Sequence, residues 1–150
     1  MLSKLKEDFK PIDFIDLKTQ QAQIRSKIDQ AIQKVLNHGT YIMGPEVKQF
    51  EADMSEFCGA KHSISCANAT DALGLGLMAK DVKSGDAIFV PSFTFAATAE
   101  VVAWVGATAI FIDSLPDTFN IDPESLKQGI SLAKKLGLNL CGIIPVDLFG

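Results

Sequence analysis

Ser65-Cys66-Ala67-Asn68-Ala69-Thr70-Asp71-Ala72-Leu73 is the stretch whose reading decides the fold. Ahead of it, Ile64 and Cys66 alternate with polar neighbours over His62–Cys66, the pattern of a short half-buried strand. A turn of small residues follows. Asn68, Thr70 and Asp71 are all residue types that cap helices, and the apolar run from Ala72 to Ala79 continues as a helix. A helix start leaves backbone N–H groups without partners and carries partial positive charge. Side chains as small as Ala69 and Thr70 let an anion such as phosphate approach that backbone, and the Thr70 hydroxyl adds a donor. A plain structural cap has the same appearance, and neither Gly-rich nucleotide fingerprint is present.

Working outward, strands alternate with helices. After the turn Lys83–Asp86 comes a short apolar strand, Ala87–Val90, ended by Pro91. Ser92-Phe93-Thr94-Phe95 then sits at the carboxyl end of that strand, where open α/β sheets place ligands. Helices are predicted over Ala96–Val105 and Ser125–Leu136, the second opened by Asp122-Pro123-Glu124, and strands over Ala109–Ile112 and Leu140–Val146. This alternation argues for βαβ units and a mostly parallel sheet with helices on both faces, hence an α/β fold. The last strand is continuously apolar, as in parallel strands covered on both faces, and a covering helix and further strands are expected after it. The chain therefore reads as the front portion of a larger α/β domain.

Before the sheet, Phe9–Leu17 is an extended lead-in. Thr19 is placed to cap a first helix with Ile24, Ile28, Ile32 and Val35 on one face and Gly39 after its last turn. Tyr41–Gly44 is a loop, and Pro45 suits the first position of a second helix striped by Val47, Phe50, Met54 and Phe57. The expected division is a helical segment over residues 1–60 and an α/β part over 61–150.

The 150-residue chain is 47% hydrophobic and 21% charged, enough apolar content for a buried core and too much for disorder. A net charge of −4 leaves no basic footprint for nucleic acid or anionic membrane. No apolar run reaches bilayer length, and Met1–Asp8 lacks the apolar core of a signal peptide. Cys58, Cys66 and Cys141 are odd in number and widely spaced, which fits reduced thiols in the cytoplasm better than disulfides or a zinc site. His38 and His62 lack partners at metal-ligand spacing, and no metal is expected.

Several short motifs together resemble one family. They are Gly44-Pro45-Glu46-Val47, Phe50-Glu51, Gly59-Ala60-Lys61-His62, Asn68-Ala69-Thr70-Asp71-Ala72-Leu73 and Gly85-Asp86. Pro91-Ser92-Phe93-Thr94-Phe95-Ala96-Ala97-Thr98-Ala99-Glu100, Gly106-Ala107, Asp113, Asn120-Ile121-Asp122-Pro123 and Ile144-Pro145-Val146-Asp147-Leu148-Phe149-Gly150 continue the series in order. The set is similar to the DegT/DnrJ/EryC1/StrS sugar aminotransferases, fold-type I enzymes that use pyridoxal 5′-phosphate (PLP). Phe14-Ile15-Asp16-Leu17-Lys18, Gln21 and Gly39-Thr40-Tyr41-Ile42 resemble the branch that aminates UDP-linked 3-oxo-hexuronic acids for surface polysaccharides such as lipopolysaccharide.

The resemblance implies a site. Backbone at Ala69 and Thr70 would hold the PLP phosphate, Phe95 would stack on the pyridine ring, and Tyr41, Met43 and Thr98 would line the sugar-nucleotide cleft. The family usually has glycine at the position of Ala69, and alanine is tolerable there if the backbone avoids positive φ. Asp147 lies where the family varies and is assigned no catalytic role. Transamination also needs a lysine for the cofactor and a carboxylate on its pyridinium nitrogen. The family carries both beyond the position of Gly150. Lys80, Lys83, Lys127, Lys134 and Lys135 fall on solvated helix or turn patterns and replace neither. The resemblance thus implies the front part of the PLP-binding large domain, without the rest of it or the small C-terminal domain. It also implies a nucleotide-sugar substrate, glutamate as donor, a homodimeric parent enzyme and no catalytic residue in the isolated chain. A PLP- or PMP-dependent sugar dehydratase of the same family and a non-catalytic truncated remnant are the alternatives.

Overall fold

The computed structural model describes residues 12–150. Of the extended lead-in predicted over Phe9–Leu17, the first residues lie outside that range, as does the Met1–Asp8 segment. The chain divides after Ser65 into two units, Met1–Ser65 and Cys66–Gly150.

In the first unit, α1 (Leu17–His38) and α2 (Pro45–Cys58) are joined by a short loop. Asp16, not Thr19, opens α1: its carboxylate accepts from the Thr19 N–H at 3.0 Å and the Thr19 hydroxyl at 2.6 Å. Asp16 lies three residues before Thr19, and its carboxylate takes the cap because the Thr19 N–H and hydroxyl both donate to it. Gly39 and Gly59 end the two helices in the left-handed conformation, at φ 67° and 65°. Pro45 occupies the first turn of α2 as expected. The apolar stripes form, but neither helix contains a buried residue, and Phe57 is 86% exposed.

No strand forms over His62–Cys66, a correction to the sequence reading. A strand exists only by ladder pairing, and among the described residues nothing pairs with this segment, which leaves Ile64 exposed. The segment is tied locally instead. The Glu51 carboxylate accepts from the Ser65 N–H at 2.8 Å and the Ser65 hydroxyl at 2.7 Å, and the Ser55 and Ser63 hydroxyls lie 2.9 Å apart.

The second unit runs α3 (Ala69–Ala79), β1 (Asp86–Pro91), α4 (Ala97–Trp104), β2 (Thr108–Ile112), α5 (Pro123–Lys135) and β3 (Asn139–Ile143). Its three strands form a parallel sheet in the order β2-β1-β3, the predicted α/β architecture. β1 is buried along its whole length because it is central, and its alternate side chains feed two cores. Ile88 and Val90 pack with Leu77, Val82, Val101 and Val102 on the α3–α4 face. Ala87 and Phe89 pack with Ile110, Ile112 and Ala133 on the α5 face. The two crossovers run in opposite directions along the sheet, so connections of one hand put α4 and α5 on opposite faces.

β3 is shorter than predicted, and its side chains are mostly exposed rather than covered on both faces. Its pairing with β1 slips between Ala87 and Ile88, which leaves Cys141 as the extra residue of a β-bulge. An apolar sequence signals what a strand can bury, and burial itself requires a neighbour.

Candidate functional site

Connectivity sets the functional edge of the second unit. The short turn after α3 leads into the amino end of β1, so α3 runs antiparallel to the strand and its N-terminus lies at the carboxyl edge of the sheet. α4 and α5 also begin at that edge, each following the carboxyl end of a strand. Ligands of open α/β sheets bind along this edge.

α3 begins at Ala69, three residues before the apolar run suggested. Asn68 is the N-cap, extended at φ −164° and ψ 172°. Its side-chain oxygen accepts the Asp71 N–H at 2.9 Å and its carbonyl accepts the Ala72 N–H at 3.1 Å. Its amide nitrogen donates to the Asp71 carboxylate at 3.1 Å, which ties that acid back to the cap. The amides of Ala69 and Thr70 have no acceptor among the described residues. Ala69 has negative φ, so its methyl group brings no backbone strain at the position where glycine is usual. Spare amides, small side chains and the positive end of a helix suit an anion.

Phe95 lies in the loop Ser92–Ala96, between β1 and α4. Its carbonyl accepts the Thr98 N–H at 3.1 Å, which fixes the backbone, while its ring is 76% exposed and open to a flat ligand. Thr98 is buried, and its hydroxyl sits 3.0 Å from that of Thr94. Tyr41 and Met43 are exposed on the α1–α2 loop of the first unit, Met43 at φ 50°. The second unit thus brings the starts of α3 and α4 to one edge, with Ala69, Thr70, Phe95 and Thr98 on them.

Sequence reasoning missed two clusters. Phe93, Phe119 and Phe149 come from the three loops at the carboxyl ends of β1, β2 and β3, with ring centroids 5.1 to 6.2 Å apart. The available signal was phenylalanine in turns rather than in strands. In the first unit, Glu46 gathers Lys34 at 3.1 Å and His38 at 3.1 Å, where the sequence showed only a His without metal-ligand partners. The Glu46 carboxyl is held below its ordinary pKa, first by its own backbone N–H and then by Lys34 and His38, against partial desolvation. Among the described residues no three His, Cys, Asp or Glu side chains are grouped to hold a metal, and the three cysteines are free and exposed.

A helix start with two spare amides, on the same sheet edge as an exposed aromatic ring, defines an α/β protein suited to a flat ligand carrying an anionic group. The DegT/DnrJ/EryC1/StrS aminotransferase family matches residues 22–150. A UDP-2-acetamido-2-deoxy-3-oxo-D-glucuronate aminotransferase from Pseudomonas aeruginosa is 50% identical over 93% of this chain and 37% of its own length. A crystal structure of a DegT/DnrJ/EryC1/StrS aminotransferase from Brucella abortus superposes with a TM-score of 0.88 at 51% identity, covering 93% of this chain and 38% of that one. NtdA from Bacillus subtilis, solved with bound cofactor PMP, matches with a TM-score of 0.81 at 26% identity, over 96% of this chain and 32% of that one. The chain belongs to the DegT/DnrJ/EryC1/StrS aminotransferase family and shares its fold. It spans a little over a third of the length of the curated relative it matches. Among the described residues no helix is long and apolar enough to cross a membrane.

Proposed function

We propose that this chain supplies the front part of a PLP-dependent aminotransferase acting on a UDP-linked keto-sugar for surface polysaccharide synthesis, with glutamate as amino donor and a homodimer as the working unit. Residues 61–150 are then the first part of the cofactor-binding domain. The spare amides of Ala69 and Thr70 carry this reading, because they are the one feature of α3 that its own cap leaves unsatisfied. The 50% identity to an enzyme named for a UDP-linked 3-oxo sugar supports the substrate class.

The residues present fit the cofactor's phosphate and ring. Ala69 and Thr70 would donate backbone N–H groups to the phosphate, the Thr70 hydroxyl would add a third donor, and the exposed Phe95 would cover the ring. Bound there, PLP supplies an electron-withdrawing ring that stabilises negative charge next to the transferred nitrogen. Tyr41 and Met43 would contact the nucleotide sugar. Thr98 would line the cleft through its backbone and methyl, since its hydroxyl already meets Thr94. The lysine and pyridinium carboxylate that transamination requires are assigned to none of these 150 residues, and weak cofactor binding at best is expected of them in isolation.

Amide NMR during titration with PLP tests the reading. The expected result is that the Ala69 and Thr70 amides and the Phe95 ring shift most, and that pyridoxal, which lacks the phosphate, leaves those two amides unmoved. Shifts centred elsewhere, or none at millimolar PLP, would overturn it.

A further inference from the structure

The loop that carries Tyr41 and Met43 is hydrogen-bonded to α1 through Thr40. The Thr40 N–H donates to His38 Nδ1 at 3.0 Å. Because Nδ1 accepts that bond, the proton of the neutral ring is on Nε2, and Nε2–H faces both Glu46 carboxylate oxygens at 3.1 and 3.2 Å. Lys34 Nζ, 3.1 Å from the same carboxylate, completes the set. On its other side, Thr40 turns its carbonyl onto Gly44, where a Cβ would stand 2.5 Å from that oxygen. Thr40 is therefore held through its N–H by α1, while its carbonyl lies close against the residue that opens α2. Between these two contacts the chain has only Tyr41, Ile42 and Met43 in which to turn, and Met43 takes up the constraint at φ 50°.

We infer that His38, locked as the Nε2–H tautomer by Glu46, is a positioning residue that sets the conformation of the Tyr41–Met43 loop. Its ring acts as a two-ended clip, donating to α2 through Nε2 and accepting from the loop through Nδ1. A charge-only role does not explain the arrangement, since Lys34 already answers the Glu46 charge and cannot accept from an amide. An imidazolium cannot accept from Thr40 either, so the clip needs the neutral ring. The consequence for substrate binding rests on the reading that Tyr41 and Met43 contact the nucleotide sugar.

Tyr41 is the only tyrosine of the chain, so its ring signals report the loop without ambiguity. The test compares wild type, His38→Phe and Glu46→Gln by NMR, with the Trp104 indole signal as a check that the second unit is unchanged. His38→Phe keeps a ring and removes both hydrogen bonds, whereas Glu46→Gln keeps an acceptor for Nε2–H. The expected wild-type result is an unprotonated Nδ1 by nitrogen shifts and a protected Thr40 amide. In His38→Phe the Thr40 amide exchanges about fivefold faster or more, and the Tyr41 signals move. In Glu46→Gln both stay near wild type. A protonated Nδ1 in the neutral ring, or Thr40 exchange and Tyr41 signals equal in wild type and His38→Phe, would overturn the inference. Should His38→Phe fail to fold, the nitrogen shifts and Thr40 protection of wild type decide it alone. Titration with UDP-N-acetylglucosamine separates the two levels: an unmoved Tyr41 in a wild type with a protected Thr40 counts against the substrate reading and leaves the clip standing.

Discussion

At the scale of single residues, Asn68 and Glu51 each tie down a backbone amide. Asn68 satisfies the Asp71 amide and ties back the Asp71 carboxylate, leaving the first two amides of α3 to outside partners. Asn68→Ala is expected to destabilise the second unit by about 1 kcal/mol in urea unfolding, the usual worth of such a cap. Asn68→Asp, which keeps the acceptor, is expected to lose much less. Glu51 is held below the ordinary glutamate pKa, first by the Ser65 N–H and then by the Ser65 hydroxyl, against the opposing effect of desolvation. A carboxyl whose pKa is lowered by folding contributes stability that is complete above its unfolded value and disappears as pH falls through the lowered folded one. The contribution of Glu51 is thus expected to decline as pH falls from the normal carboxylate range towards the lowered folded value, and Glu51→Gln to flatten that limb, as read by circular dichroism against pH. The cap residue could be read from its type and place before an apolar run. The Glu51–Ser65 contact could not, because fourteen residues separate its partners and many serines were available.

At the scale of elements, α5 meets the sheet through a glycine. A Cβ at Gly129 would stand 2.6 Å from Ile112 Cδ1 and 3.2 Å from Ile110 Cγ2, so the helix lies close on β2 because that methyl group is missing. Gly129→Ala should gain helix propensity yet lose more to overpacking, for a net destabilisation of about 1–3 kcal/mol. Ile112→Ala, at a fully buried position, is expected to cost about 2–5 kcal/mol in the same unfolding assay. If Gly129→Ala proved stabilising, α5 would have to sit further from the strand than the structure places it. Apolar strand patterns and the Asp122-Pro123 start made these elements legible in advance. The bulge at Cys141 was not, because a one-residue slip depends on which strand lies alongside.

At the scale of the whole molecule, much apolar surface faces outward. Ile42, Phe57 and Ile64 are each more than 85% exposed, and Phe95 and Phe149 project from the sheet's carboxyl edge. The polypeptide of these 150 residues is therefore expected to bind a hydrophobic dye and to associate with rising concentration in sedimentation. A monomer without dye binding would show that these side chains find cover within the chain. The sequence by itself determined the alternation of helices and strands from α3 onward, the parallel α/β class and the capping turn ahead of α3 at the candidate phosphate site. Each of these follows from local periodicity and capping, which neighbouring residues settle among themselves. Only the tertiary structure decided that 62–66 stays unpaired, that β3 lies at an edge, that three phenylalanines meet across three loops and that His38 clips Thr40 to Glu46. Pairing and burial depend on which surfaces meet, and that is a property of the folded chain, where residues far apart in sequence become neighbours.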